Sequence, residues 1–124
     1  MLNQPSEFLS VAPLLPGGPD IVAGVDYFVN QLGFQVIYQY ETGAGVRRGA
    51  VEFNLVQNDN REWADNCSVS IGVSDLQKLY QEYKGIDAII GPLERKPWGR
   101  MEFHMIVPTG VCLQFYSASH SEDS

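Results

Sequence analysis

The sequence predicts an α+β fold made of two successive units, each in the order strand, helix, strand, strand, strand. Short segments alternate apolar and polar residues with the period of a half-covered strand, and residues 21–32 and 76–83 each carry an apolar stripe at helical spacing. The same order recurs on both sides of a polar segment, residues 58–66. An internal repeat of this size indicates one domain with two modules, over about residues 8–57 and 67–117.

The first module is predicted to begin with a strand over residues 8–15, followed by a helix. Pro13 indicates a sheet edge or a bulge in that strand. Asp20 is a helix N-cap, because its side chain accepts the free N–H groups of the first turn, and Gly33 suits the left-handed residue that ends a helix. The apolar stripe between them consists of Ile21, Val22, Val25, Phe28, Val29 and Leu32.

Three further strands are predicted to complete the first module. Residues 36–40 and 50–56 alternate clearly. The glycines in residues 43–45 predict a turn, with a short return strand over residues 46–48. Residues 57–66 are polar and are predicted to be a structureless linker.

The second module repeats this order. Residues 67–73 alternate as a strand, and Ser74 with Gln77 matches a capping box at the start of a helix. Gly85 ends the helix, and residues 87–90 form a brief strand. The apolar stripe of this helix consists of Leu76, Leu79, Tyr80 and Tyr83.

The last part of the second module is a stiff loop followed by a hairpin. Pro92 and Pro97 fix φ and remove two backbone donors, so the segment between them is predicted to stay out of any sheet ladder. Trp98 follows on a rigid Pro-Trp-Gly corner. Residues 101–107 and 111–116 are strands joined by a Pro-Thr-Gly turn.

These motifs resemble those of the bleomycin-resistance branch of the vicinal-oxygen-chelate superfamily, which also contains glyoxalase I and dioxygenases. The resemblance covers about residues 9–117 and departs from the usual pattern at Val107 and Thr109, where the family usually has acids. The motifs that carry it are Tyr27-Phe28 with Leu32-Gly33-Phe34, Gly91-Pro92, Pro97-Trp98-Gly99, Arg100-Met101-Glu102-Phe103, Pro108-Thr109-Gly110 and Leu113-Gln114-Phe115.

The resemblance implies paired βαβββ modules that form curved mixed sheets, with helices on the convex face and the ligand on the concave face. Strand alternation then assigns polar side chains to the concave face. They are Glu52, Asn54, Ser68, Ser70, Gln114 and Tyr116, with Glu102 and His104 assigned less directly.

The positions that hold metal in metal-dependent relatives correspond here to residues near Ala12 and Ser68, and to Glu52 and Gln114. Glu52 alone is a good ligand, whereas such sites need about three or four nitrogen or oxygen donors. The resemblance therefore implies no metal and no cofactor.

No catalytic residue is predicted. The sequence has no Gly-x-Ser-x-Gly, Cys-x-x-Cys or His-x-x-x-His motif and no phosphate-binding glycine loop. A structural role is favoured for His104 over general-base catalysis, and His120 is expected in solvent. Glu52 could serve as a general base, but a carboxylate satisfied by neighbouring donors is the favoured interpretation.

The predicted function is therefore metal-free sequestration of a small, cationic or planar aromatic molecule in a crevice of a homodimer. Trp98 is the first candidate for stacking, and Trp63, Tyr38, Tyr40 and Phe34 are further candidates for the wall. The alternative for Trp98 is a core or dimer contact, for Trp63 a dimer contact, and for the other three a place in the core. Glu52 and Glu102 would supply negative charge, and Asn54 and Gln114 polar contacts. The alternatives are a metal-dependent glyoxalase, dioxygenase or isomerase with a degenerate site, and a module that only dimerises.

The amino-acid composition limits the kinds of molecule that the protein is expected to bind. The formal charge of −7 and the pI of about 4.6 disfavour nucleic acid and anionic membranes and suit a cationic ligand. No apolar run is long enough to cross a membrane, and no signal peptide is recognisable, which predicts a cytoplasmic protein. Cys67 and Cys112 share no motif spacing and are expected to be reduced.

Overall fold

Two mixed β-sheets carry the chain, and helices pack on one face of each. The structure is a computed structural model that describes residues 4–118. The strands are β1 (Leu14–Pro16), β2 (Gln35–Tyr40), β3 (Gly43–Arg48), β4 (Val51–Val56), β5 (Ser68–Val73), β6 (Ile89–Ile90), β7 (Glu94–Arg95), β8 (Met101–Ile106) and β9 (Cys112–Ser117). The helices are α1 (Ile21–Asp26), which continues as a π-helical turn (Tyr27–Gln31), α2 (Arg61–Asp65) and α3 (Leu76–Tyr83).

The two sheets have the same strand order, as the sequence repeat predicts. The first runs β1-β4-β3-β2, and the second runs β5-β9-β8-β6, with β7 also paired to β8. In each sheet the strand before the helix lies parallel to the last strand of its module, and the other pairs are antiparallel. The predicted α+β class is confirmed; the residue bounds of the two modules stay a prediction.

The start of α1 follows from its capping residue. One carboxylate oxygen of Asp20 accepts the N–H groups of Val22 and Ala23 at 3.1 and 3.4 Å, as predicted. The helix packs on β3 and β4. Gly33 follows the helix with φ of 81°, which is the left-handed conformation expected there.

The predicted capping box of α3 is wrong by one residue. Asp75, not Ser74, takes the extended N-cap conformation, and its side chain accepts the N–H of Lys78 at 3.1 Å. Aspartate is as good an N-cap as serine. The helix therefore begins one residue later than the Ser-x-x-Gln pattern indicates.

The predicted turn at residues 43–45 is also wrong, because β3 begins at Gly43. The turn lies at residues 41–42, and Gly43 and Gly45 sit inside the strand. The rings of Tyr40 and Tyr38, one strand away, lie over these glycines, so that an added Cβ at either position would overlap a ring. The glycines make room for aromatic rings rather than for a turn.

Three other segments differ from the prediction. The first strand has only three residues, and residues 8–13 extend outside it. The polar segment contains α2, capped by Asn60, whose side chain accepts the N–H of Trp63 at 3.1 Å. Glu94–Arg95 does pair with β8, since the flanking prolines bound this short edge strand instead of interrupting it.

A polar contact at the backbone carbonyl of Leu32 joins the two modules. The carbonyl of Leu32 accepts the hydroxyl of Tyr83 at 2.6 Å and Nη1 of Arg48 at 2.8 Å. Arg48 also forms a two-point ion pair with Glu82 at 2.8 and 2.9 Å. This contact fixes α3 of the second module against the helix exit of the first.

Candidate functional site

The open face of each sheet is the face opposite its helices. In the second sheet the register places Ser70 beside Gln114, Gln114 beside His104, and Tyr116 beside Glu102, so all of these side chains share the open face. The hydroxyl of Ser70 donates to Oε1 of Gln114 at 3.4 Å. The strand register therefore places these side chains on the same face that the sequence alternation predicts.

Trp98 lies at the edge of this open face, on the corner that precedes β8. The corner is closed by the N–H of Lys96 donating to the carbonyl of Arg100 at 3.0 Å and by the N–H of Gly99 donating to the carbonyl of Lys96 at 2.8 Å. Gly99 has φ of 97°, which a residue with a side chain rarely adopts. Trp98 is 62% exposed as a residue, so much of its side chain is accessible to solvent.

The carboxylate of Glu102 is the centre of the polar contacts on this face. Its Oε2 accepts Nε1–H of Trp98 at 2.7 Å and Nε–H of Arg100 at 3.0 Å. Its Oε1 lies 2.7 Å from Nε2 of His104. One carboxylate therefore meets three nitrogen groups from its own chain.

Burial alone would raise the pKa of the Glu102 carboxyl, but the hydrogen bonds from Trp98, His104 and Arg100 and the charge of Arg100 outweigh it. The pKa therefore lies below the ordinary value for glutamate, and the group is ionised at neutral pH. Only 1% of the residue is exposed. The expectation that Glu102 offers free negative charge to a ligand is corrected, because Arg100 compensates that charge.

Two ring contacts extend from this carboxylate. The imidazole of His104 lies nearly parallel to the Trp98 indole, at 13° with 6.3 Å between centroids. The guanidinium of Arg100 lies 3.7 Å from the centroid of Tyr116, a cation–π contact. His104 is therefore held within the cluster, in line with the structural role favoured from the sequence.

The first sheet presents a second aromatic surface on its own open face. Tyr38 and Tyr40 are stacked at 9° with 6.3 Å between centroids, and they are 44% and 57% exposed. The hydroxyl of Tyr38 donates to Oδ1 of Asn54, whose Nδ2 donates to the carbonyl of Ala12 at 3.3 Å. Asn54 thus ties the tyrosine platform to the chain before β1.

Glu52 lies on the same open face, and its carboxylate charge is only weakly compensated. It is half-buried, and the nearest guanidinium nitrogen, Nη1 of Arg47, is 3.9 Å away. That separation is at the limit of an ion pair. Phe34, by contrast, is buried and stacks on Phe53, so of the two positions left open for it, the wall and the core, it takes the core.

The two tryptophans stand on different elements. Trp63 is on α2, which is held to the turn after β8 by Arg61, whose guanidinium donates to the carbonyls of Pro108 and Thr109 at 3.1 and 2.9 Å. Trp98 is on the corner before β8, with its ring beside that of His104. The contribution of Trp63 to a wall stays a prediction.

The residues on these faces do not fit a metal ion. Among residues 4–118, no group of three or more histidine, cysteine, aspartate or glutamate side chains is close enough to hold one. Glu52 and Gln114 lie on different sheets. Cys67 and Cys112 are free, and burial raises the pKa of both thiols, which disfavours the reactive thiolate. His120 lies outside the described residues.

Two cavities in the described residues lie away from Trp98, Tyr38 and Glu52. One cavity of about 510 Å³ lies between α1 and the turn at Pro108, and another of about 500 Å³ lies beside α3. Neither is lined by Trp98, Tyr38 or Glu52. The candidate site is therefore a pair of open aromatic surfaces.

Solved structures are similar to this chain over nearly its whole length. The bleomycin-binding protein from bleomycin-producing Streptomyces verticillus, complexed with copper(II)-bleomycin, matches with a TM-score of 0.80 and 28% identity, over 92% of this chain and 99% of that one. A bleomycin resistance determinant encoded on transposon Tn5 matches with a TM-score of 0.77 and 20% identity, over 89% and 98%.

A lactoylglutathione lyase from Agrobacterium tumefaciens also matches, with a TM-score of 0.68 and 12% identity, over 88% of this chain and 93% of that one. No family profile and no curated protein sequence matches. The likeness thus includes both binding proteins and an enzyme, and it confirms the resemblance seen in the sequence at the level of the fold.

Proposed function

We propose, from the fold that this protein shares with the bleomycin-binding and bleomycin-resistance proteins, that it binds a small planar or cationic molecule without transforming it and thereby sequesters it. The observation that carries the proposal is the exposed Trp98 indole, held by a hydrogen bond beside a polar open face. A fixed aromatic surface loses little entropy when a flat ligand stacks on it.

The binding energy would come from stacking and charge. Each aromatic or cation–π contact contributes about 0.5–2 kcal/mol. Tyr38 and Tyr40 supply a second platform, and Glu52 supplies a carboxylate that Arg47 only weakly compensates. The net charge of −7 would concentrate a cation near the surface.

The proposal includes a homodimer that completes the crevice. Phe8, Leu9 and Val11 are almost fully exposed on the extended segment before β1, together with the open faces. Burying an apolar side chain of this size stabilises an interface by about 1.5–3 kcal/mol. Light scattering tests this: a dimer that the double substitution F8S/L9S converts to monomer supports it, and a wild-type monomer contradicts it.

The location proposed is the cytoplasm, because the two cysteines are free and a reducing compartment keeps them so. Among residues 4–118, no helix is long and apolar enough to cross a membrane.

Titration with copper(II)-bleomycin and with planar cations, followed by tryptophan fluorescence, tests sequestration. The proposal expects quenching of Trp98 in a W63F background and loss of the signal and of affinity in W98A. Recovery of the unchanged ligand after denaturation would show that nothing is transformed. A folded protein that responds to none of these probes would contradict the proposal.

The enzyme alternative rests on the likeness to the lyase, which at 12% identity concerns the fold alone. Its donor set is incomplete in the described part of the chain, where no group of three or more histidine, cysteine, aspartate or glutamate side chains could hold a metal ion. Elemental analysis discriminates: stoichiometric nickel, zinc, iron or manganese in the purified protein would favour the enzyme. A dimer with neither metal nor ligand response would favour a module that only dimerises.

A further inference from the structure

Trp98 is exposed, and a hydrogen bond from its indole limits the orientations of its ring. Trp98 is largely exposed, and the corner that carries it is a short loop between Pro97 and β8. The hydrogen bond from Nε1–H to Glu102 at 2.7 Å ties the ring to the sheet. Because Glu102 lies within β8, this bond couples the angle of an exposed ring to a rigid strand.

Each of the two carboxylate oxygens of Glu102 meets a nitrogen group. Indole Nε1–H and guanidinium Nε–H donate and cannot accept. They share Oε2, while Nε2 of His104 lies against Oε1, so the ionised carboxylate holds the imidazole proton on Nε2. A glutamine would keep one acceptor oxygen for Trp98 and Arg100 and could donate to Nε2 of the other histidine tautomer, whereas a leucine removes both acceptors.

The negative charge of Glu102 is already balanced within the chain, so Glu102 does not serve to attract a cationic ligand. Arg100 pairs with the carboxylate at 3.0 Å, and the carboxylate is covered on all sides. The role left for this carboxylate is to orient the two rings. Its two oxygens hold the edges of the Trp98 and His104 rings, which are 13° from parallel.

We propose that Glu102 is a positioning residue, whose carboxylate fixes the Trp98 indole and the His104 imidazole as one rigid wall that selects a ligand with a flat aromatic group. This rests on the proposed function, and it names the part of the ligand that the site reads. Glu102 itself does not touch the ligand; it acts through the two rings.

A double-mutant cycle on the binding of copper(II)-bleomycin tests the coupling. The E102L substitution, which removes both acceptor oxygens, should weaken binding about tenfold when residue 98 is tryptophan, because the freed indole must be ordered on binding. In a W98F background, which has no indole N–H to hold, E102L should weaken binding clearly less, because only the imidazole is then released. Equal losses in both backgrounds would overturn the proposal.

Glu94 provides the matched control. It is paired with Glu102 across the β7–β8 ladder, but it is exposed and bonds Lys96 at 3.3 Å. The E94L variant makes the same substitution one strand away and should leave affinity unchanged. A loss in E94L equal to that in E102L would mean that the lost charge, not ring position, is responsible, and would overturn the proposal.

A measurement without ligand and without change at position 102 keeps the proposal falsifiable even where E102L does not fold. In W63F protein, the Trp98 indole N–H should exchange with solvent at least about tenfold more slowly than that of a free indole, because its hydrogen bond must open first. Exchange as fast as free indole would overturn the proposal. If W98A left binding intact, the proposed function would fail; if only the Trp98–Glu102 coupling were absent, this inference would fail alone.

Discussion

Replacing Gly24 by alanine separates intrinsic helix preference from tertiary contact. In an exposed helix interior this change stabilises by about 0.5–1 kcal/mol. Here a Cβ on Gly24 would overlap the carbonyl oxygen of Gly17 and lie 3.2 Å from its carbon. The obstacle is backbone, and it is held in place because the N–H of Gly17 donates to the carbonyl of Val56 at 2.7 Å.

The helix must therefore move outward for the methyl group to fit. Overpacking of this kind costs about 1–3 kcal/mol, and a fixed backbone obstacle favours the upper part of that range. After the helix gain is subtracted, we expect G24A to lower the free energy of unfolding by about 1–2 kcal/mol. For a chain of this length, that lowers the melting temperature by roughly 3–8 °C.

Urea unfolding followed by circular dichroism measures the change, and Gly85 supplies the control. A Cβ at Gly85 would meet nothing within 4 Å, and its φ is not in the left-handed region. G85A should be neutral or stabilising by a few tenths of a kcal/mol. If G24A were as stable as G85A, the close approach of α1 to Gly17 would not exist as described.

Three further predictions concern pH and the ligand surfaces. Burial is the main cause that raises the pKa of Tyr27 and Tyr83 to about 12; because an unfolded tyrosine loses its proton near 10, stability should be fully present below pH 10 and fall as pH rises toward 12. Denaturant unfolding across that range measures this, and a flat profile would contradict it. G45A should displace the Tyr38 ring and weaken copper(II)-bleomycin binding several-fold with an unchanged unfolding midpoint, since the ring is exposed and can move; unchanged affinity would remove Tyr38 from the site. E52Q should weaken binding of planar cations at low salt but much less in 1 M salt, and an effect independent of salt would exclude a charge role.

Local patterns predicted most elements because they are set by neighbours in the chain. Alternation marked the strands that hold Glu52 and Gln114, and it also assigned their faces correctly. The α1 cap at Asp20 and the helix end at Gly33 need only short-range hydrogen bonds and a permitted φ, and both were predicted. Two modules were recognisable because each repeats the same local signals.

Tertiary structure decided what depends on a partner from another strand. Gly43 and Gly45 indicate a turn when the sequence is taken alone, and only the tyrosine rings on β2 show why a strand needs glycine there. The role of Glu102 was likewise invisible, since a glutamate on the ligand face of a strand predicts an exposed charge. Its carboxylate became a buried anchor because Trp98 and Arg100 fold back onto it from the preceding corner, and no periodicity records that contact. The sequence thus determined the order of the elements, while packing between them determined which polar groups remain free to meet a ligand.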